Sequence, residues 1–169
     1  MISVVTKKFN SKTPHITIKY DEELIVDESE LIKKINRFTS KILPFEITLG
    51  NLEINESSLG FNVHIPVTPK NKIVNITKSL SRIIEPYINP NSPEAFKSTR
   101  WEQSNEFYPH ISIKGSDNRK EAEKIIKEAQ VDYNGTSMKF IVKSMTLARW
   151  NKDKWKKVKS FGFEKNNFK

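Results

Sequence analysis

A short motif occurs twice in this sequence, and the repeat to which it belongs is the feature that most constrains the fold. The first histidine motif reads PHITIKY at residues 14–20, and the second reads PHISIKG at residues 109–115. They contain two of the chain's three histidines, His15 and His110, which stand 95 residues apart. The same shift of 95 residues aligns further apolar residues without a gap: Leu31 with Ile126, Phe45 with Phe140, Leu52 with Leu147, and Val63 with Val158.

Each half of the repeat, at about residues 10–68 and 105–163, predicts the same order of secondary structure. The motif alternates apolar and polar residues, as a strand with one buried face does. An amphipathic helix follows, and two strands close the half. Asp27 is placed to cap the first helix and Pro44 to end it. The predicted elements after the motifs are helices around 31–42, 71–85 and 122–129, and strands at roughly 45–54, 60–67, 138–149 and 155–163.

The length and the repeat together favour a single α+β domain spanning residues 1–169. A unit of this length, present only twice, does not suit a solenoid, which stacks many short units. We expect instead a domain with pseudo-twofold symmetry, in which matching strands of the two halves face each other across a groove. Residues 88–107 form a long connection rich in Pro, Asn and Ser just before the second motif, where a lid or binding loop is expected.

The histidine motifs predict a chemistry as well as a strand. Residues i and i+2 of a strand point the same way, so His15 lies beside Thr17, and His110 beside Ser112. Two imidazoles and two hydroxyls suit a phosphodiester: one imidazole accepts a proton and the other donates one. The hydroxyls donate hydrogen bonds to oxygens on which charge grows. This chemistry requires no metal. The alternative is that the motifs are strand residues preserved by a duplication without a function.

The two His-x-Thr/Ser motifs, about a hundred residues apart in a small chain, resemble those of the two-histidine (2H) phosphoesterase superfamily. That superfamily includes 2′-5′ RNA ligase-like proteins and cyclic phosphodiesterases. The resemblance assigns the catalytic roles to His15, Thr17, His110 and Ser112. It implies a bilobal fold with pseudo-twofold symmetry, in which antiparallel sheets line a central cleft and helices lie outside. It also implies hydrolysis of 2′,3′-cyclic or 2′-5′ phosphodiester bonds without a metal or cofactor, while ligation is a reversible activity of some members. Which histidine is the acid and which the base stays open.

Five residues near the motifs are candidates for binding the substrate. Lys19 and Lys114 stand four residues after the histidines and share their face if the strands are regular, so that they would attract phosphate. Tyr20, Trp101 and Tyr108 offer rings on which a nucleobase can stack, although core packing or a role as a loop anchor accounts for any one of them more readily.

Two other features have weaker interpretations. The run RWNKDKWKKVKS at residues 149–160 is either a basic hairpin that follows a phosphate backbone or a solvated edge protected by lysines. His64 lacks a hydroxyl residue two positions on, and we interpret it as a strand histidine without chemistry. A zinc site built from His15, His64 and His110 is disfavoured because it leaves Thr17 and Ser112 unexplained.

The composition limits the kinds of molecule that the protein is expected to bind. The net charge of +9 favours polyanions, so we expect RNA, an oligonucleotide or a cyclic nucleotide as the substrate. The absence of cysteine excludes disulfides and thiolate catalysis. With no apolar run long enough for a membrane span or a signal peptide, we expect a cytoplasmic monomer that does not bind membranes.

The alternatives to a phosphodiesterase are a non-catalytic RNA-binding module, a cyclic-nucleotide sensor and an RNA 2′-5′ ligase.

Overall fold

The structure is a computed structural model, and it describes residues 14–19, 24–57, 60–91, 107–133, 138–151 and 154–164. Within these residues it contains three α-helices and seven strands, so the predicted α+β class is confirmed. The helices are α1 (Glu28–Thr39), α2 (Lys70–Ile84) and α3 (Arg119–Gln130). The strands are β1 (Phe45–Leu49), β2 (Glu53–Ser57), β3 (Gly60–Thr68), β4 (His110–Ser116), β5 (Lys139–Val142), β6 (Ser144–Asn151) and β7 (Lys154–Gly162).

The helices form where the sequence predicts them, and two have side-chain caps. The Asp27 carboxylate accepts hydrogen bonds from the backbone N–H groups of Ser29 and Glu30 at the start of α1. Helix α1 ends at Thr39, before the predicted end at Pro44. At the start of α3, the Asn118 side chain accepts a hydrogen bond from the backbone of Glu121.

The strands differ from the prediction in one respect in each half: a long predicted strand is divided into two. The strand predicted at 45–54 becomes β1 and β2, with Gly50 between them. The backbone N–H of Gly50 donates to the carbonyl of Pro66, and the Gly50 carbonyl accepts from the Tyr133 hydroxyl. A Cβ at position 50 would lie 2.7 Å from Pro66 Cγ, so this close approach needs glycine. The strand predicted at 138–149 divides in the same way, into β5 and β6.

The first histidine motif is the larger correction, because residues 14–19 do not form a strand. Their side chains nevertheless alternate: His15 and Thr17 are exposed, whereas Ile16 and Ile18 are half-buried. Alternation of apolar residues decides which side chains turn inward, but a ladder of backbone hydrogen bonds is what makes a strand. The prediction of a shared direction therefore holds for this motif, and the prediction of a strand is wrong.

The described chain forms two compact units, and each draws on both halves of the repeat. The first unit contains β2 and β3 from the first half together with β4 and α3 from the second. The second unit contains α1 from the first half together with β6 and β7 from the second. The two halves thus contribute corresponding elements to different units, which accounts for the repeated apolar pattern in both.

In the first unit β3 is the central strand of an antiparallel sheet. β4 pairs along one edge of β3, while β2 and then β1 pair along the other. Helix α3 packs against β2, β3 and β4. This packing accounts for the buried apolar residues of the unit, among them Val63, Ile65, Ile111, Ile113, Ala122 and Ile125.

The second unit contains a two-stranded antiparallel sheet, β6–β7, against which α1 packs. Phe45 stacks on Phe163 at 6.1 Å between ring centroids, and Arg149 on β6 forms an ion pair with Glu28 on α1. Lys156, Lys157 and Lys159 of the predicted basic hairpin are exposed. No helix among the described residues has the length and apolar character that crossing a bilayer requires.

Candidate active site

The sheet of the first unit has one apolar face and one polar face. Residues directly opposite each other on antiparallel strands share a face. Glu53 on β2 pairs with His64 on β3, and His64 pairs with Ser112 on β4. In the neighbouring rows Asn55 pairs with Asn62, and Pro66 pairs with His110. The polar face therefore carries the second histidine motif beside four polar side chains of β2 and β3, while the apolar face packs on α3.

A β-bulge in β4 decides which residues of the second motif reach this face. Val63 pairs with Lys114, but His64 pairs with Ser112, so Ile113 has no counterpart on β3. Lys114 consequently lies on the side of Val63 and forms an ion pair with Glu121 of α3 at 3.4 Å. The prediction that Lys114 shares the face of His110 assumed a regular strand, and it is wrong for that reason.

His110 is held by hydrogen bonds at both ring nitrogens. Its Nδ1 lies 2.8 Å from the backbone carbonyl of Tyr108, and because a carbonyl can only accept, Nδ1 is the donor and carries a hydrogen. Its Nε2 lies 3.4 Å from Asn62 Nδ2, which also donates to Ser112 Oγ at 3.3 Å. Asn62 thus joins the imidazole and the hydroxyl of the second motif, as the i and i+2 spacing predicts for a shared site.

His64 is a buried residue beside His110 on the same face of the sheet. Its side chain is 3% exposed, and its ring lies 4.9 Å from the His110 ring. Nδ1 contacts the Asn62 carbonyl at 3.2 Å, whereas Nε2 has no hydrogen-bond partner among the described residues and lies 3.8 Å from Glu53 Oε2. Burial lowers the pKa of His64, although the hydrogen bond with the Asn62 carbonyl and the attraction of Glu53 oppose this shift, and a positive charge on His110 would lower the pKa further. The His64 ring is therefore neutral at pH 7.

The sequence interpretation of His64 missed this contact with the second motif. A signal for it was present, because Asn62 and His64 are polar residues two positions apart between apolar neighbours in β3. This is the spacing that marks the histidine motifs themselves. Neither residue was selected from the sequence as part of the site.

Tyr108 lies on the same side of the unit, beside His64. Its hydroxyl donates to Glu53 at 3.3 Å, its ring meets the His64 ring edge-on at 5.7 Å, and Lys70 Nζ lies 5.7 Å from its ring centroid. Burial raises the pKa of Tyr108, and Glu53 raises it further, so the hydroxyl remains a donor at neutral pH. The ring is 37% exposed, which leaves part of its surface open to a ligand. Its role in binding a base stays a prediction.

The remaining predicted site residues are His15, Thr17, Lys19, Tyr20 and Trp101. His15 and Thr17 are exposed residues of the first unit, and their meeting with His110 in one site stays a prediction. Lys19 is half-buried and belongs to the second unit. Tyr20 and Trp101 lie outside the described residues. In the part of the chain that the structure describes, no cluster of three His, Cys, Asp or Glu residues is arranged to hold a metal ion.

The comparison with known families agrees with this site. The model of the 2′-5′ RNA ligase superfamily matches residues 4–154 of the 169. The chain therefore belongs to the 2′-5′ RNA ligase superfamily, which is the 2H phosphoesterase superfamily that the motifs resemble. It is accordingly an enzyme of the phosphoesterase or ligase type. No curated protein matches the chain.

Proposed function

We propose that this protein is a phosphodiesterase that hydrolyses 2′,3′-cyclic or 2′-5′ phosphodiester bonds of RNA, oligonucleotides or cyclic nucleotides, and that His15 and His110 perform the acid–base chemistry without a metal. The observation that carries the proposal is the Asn62-linked pair of His110 and Ser112 on a polar sheet face. A histidine with a purely structural role would not need a hydroxyl that is linked to its Nε2 through the same amide group. The family supports the general type of reaction, and the site supports proton transfer at His110 Nε2.

The reaction follows from these groups. One neutral imidazole accepts a proton from water while the water oxygen forms a bond to phosphorus. The bond from phosphorus to the ribose oxygen breaks, and the other imidazole, protonated, donates its proton to that oxygen. Thr17 and Ser112 donate hydrogen bonds to the non-bridging oxygens, where negative charge grows in the transition state. The products are a phosphomonoester, or a shortened chain bearing one, and a free hydroxyl.

Several features favour a nucleotide substrate. The net charge of +9 attracts a polyanion, and the Tyr108 ring offers a partly exposed surface beside His64 for stacking a base. Lys70, near that ring, adds a positive charge on the same side. A base that stacks on Tyr108 would contribute about 1–3 kcal/mol to binding.

The test is a mass-spectrometric assay of the purified protein in EDTA against a defined panel. The panel holds 2′,3′-cyclic nucleotides, 2′-5′ and 3′-5′ dinucleotides, and cyclic di- and trinucleotides. The control is the double variant His15→Ala/His110→Ala. We expect the wild type alone to cleave a 2′,3′-cyclic or 2′-5′ bond. Activity that disappears in EDTA and returns with zinc would exclude the metal-free mechanism.

A second experiment distinguishes hydrolysis from ligation, because hydrolysis breaks the same kind of phosphodiester bond that ligation forms. RNA fragments with 2′,3′-cyclic phosphate and 5′-hydroxyl ends are incubated with the enzyme, and products are analysed for 2′-5′ junctions. Joining without cleavage at dilute RNA would overturn the assignment as a hydrolase. Saturable binding of a panel member without turnover would instead favour the non-catalytic alternative.

A further inference from the structure

Asn62 belongs to neither histidine motif, yet it contacts both functional groups of the second one. It lies on β3, where the register pairs it with Asn55 on one side and Gly115 on the other. Its side chain is half-buried, and Nδ2 lies 3.4 Å from His110 Nε2 and 3.3 Å from Ser112 Oγ. Because an amide nitrogen carries two hydrogens, it can donate to both atoms at once.

These contacts select one form of the His110 ring. The carbonyl of Tyr108 fixes a hydrogen on Nδ1, so an additional proton must enter at Nε2. An N–H donor already points at the Nε2 lone pair, and it stabilises the ring that keeps this lone pair. The same donor cannot bond to an Nε2 that carries a hydrogen, because both groups would then be donors. The geometry therefore holds Nε2 without a hydrogen, which is the state from which a general base starts.

We propose that Asn62 is a positioning residue that holds His110 as the neutral, Nδ1-protonated imidazole and thereby makes His110 the general base, with His15 as the general acid. The assignment of roles rests on the proposed function, whereas the state of the ring does not. In turnover, Nε2 takes the proton of the attacking water, and Asn62 turns its donor to Ser112 or to a phosphoryl oxygen.

Other charged and titratable groups face this site and must be considered together with Asn62. Glu53 on β2 and His64 on β3 lie on the same sheet face, Tyr108 precedes β4, and Lys70 on α2 lies over the Tyr108 ring. His64 is neutral because of its burial, and Glu53 binds the Tyr108 hydroxyl. Asn62 is distinct from them because its side chain contacts the His110 nitrogen at which the proton is exchanged.

The test measures the ring directly, by ¹⁵N NMR of histidine side chains in the full-length protein, without substrate. We expect the neutral His110 ring to be the Nδ1-protonated tautomer. Asn62→Asp replaces the donor with an isosteric negative acceptor, and at pH 7 it should move the His110 ¹⁵N resonances towards those of a ring with hydrogens on both nitrogens. The matched control is Asn55→Asp, which adds the same charge directly opposite on the same face without a contact to His110, and it should cause a much smaller movement.

Two results would overturn the proposal about the ring: an Nε2-protonated neutral tautomer, or equal effects of the two Asp variants. The roles are tested by the pH profile of kcat/KM on a substrate found in the panel. With His110 as the base, Asn62→Asp moves the acidic limb of the profile to higher pH. Movement of the basic limb instead would identify His110 as the acid. If no panel member is cleaved, the proposed function fails, while the NMR result stands independently.

Discussion

The two histidine motifs share five of seven residues, but the structure places them in different surroundings. The second motif forms β4, with its isoleucines in the core and its histidine hydrogen-bonded at both nitrogens. In the first motif the same alternation leaves His15 exposed and its isoleucines half-buried, in a segment without a strand. Near-identity of sequence therefore secured the direction of the side chains in both motifs but not their environment.

The residues that surround the second motif are not repeated. Asn62 and His64 lie beside His110, and the shift of 95 residues places Lys157 and Lys159 at the corresponding positions of the other half. Neutral polar groups in one half thus correspond to cations in the other.

The largest expected effect is on turnover, and it tests whether both motifs are needed. His15→Gln and His110→Gln should each lower kcat by at least about 100-fold, the contribution of a general acid or base. Asn55→Ala, a change to an exposed residue on the face of His110, is the control for folding and should leave kcat nearly unchanged. Loss of activity in His110→Gln alone would show that the first motif has no part in catalysis. The measurement is steady-state kinetics on the cleaved panel substrate.

A smaller effect is expected at the hydroxyl residues. Ser112→Ala and Thr17→Ala should each lower kcat by about 10-fold, because each removes one donor to the charged oxygens of the transition state. Thr17→Ser and Ser112→Thr exchange the hydroxyl residues of the two motifs and should retain most of the activity. Equal losses in the Ala and the exchanged variants would mean that side-chain shape, not the hydroxyl, matters at these positions.

The free energy of unfolding should depend on pH because of His64, whereas the residue at the corresponding position of the other half should make no such contribution. The folded pKa of His64 is lowered by burial below the ordinary 6.5, so below about pH 6.5 the unfolded chain takes up a proton that the folded chain does not. The free energy of unfolding then falls with falling pH, by at most about 1.4 kcal/mol per pH unit for one proton, until the folded pKa is reached. His64→Gln removes this contribution.

The matched control is Lys159→Gln, at the corresponding position of the other half, since a lysine does not titrate in this range. Urea unfolding between pH 5 and 7 measures the difference. If the wild type and His64→Gln lose stability in parallel, the interpretation of His64 as a buried neutral ring is wrong.

The smallest effect concerns the isoleucines of the two motifs. Ile113 is 2% exposed, so Ile113→Val should cost about 0.5–1.5 kcal/mol of unfolding free energy. Ile16→Val, the same change at a half-buried residue of the first motif, should cost less. Urea denaturation at pH 7 compares them, and equal costs would show that the first motif is packed as tightly as β4.

Much of the fold could be predicted from residues close together in the chain. Asp27 and the apolar spacing of Leu31 and Ile35 predict α1, and Ala122 and Ile125 predict α3 in the same way. The prediction of direction at His110 and Ser112 was also correct, because the side-chain alternation of a strand is local. The family followed from the two motifs and is confirmed over most of the chain.

The errors share one physical cause, which is that strand pairing depends on distant residues. The bulge at Ile113 arises from how β4 pairs with β3, and it turns Lys114 towards Glu121 instead of the face of His110. The division at Gly50 depends on contacts with Pro66 and Tyr133. Neither the bulge nor these partners can be recognised from local spacing.

The sequence by itself determined the α+β class, the repeated pattern and the identity of the histidine–hydroxyl pairs, because these depend on periodicity within short segments. Only the tertiary structure decided which polar residues surround the second motif. Asn62 and His64 reach His110 through the register of β3 and β4, and that register is set by backbone hydrogen bonds between strands whose paired residues are 44 or more positions apart along the chain. The neighbours of the His110 ring therefore depend on strand pairing and not on the motif alone.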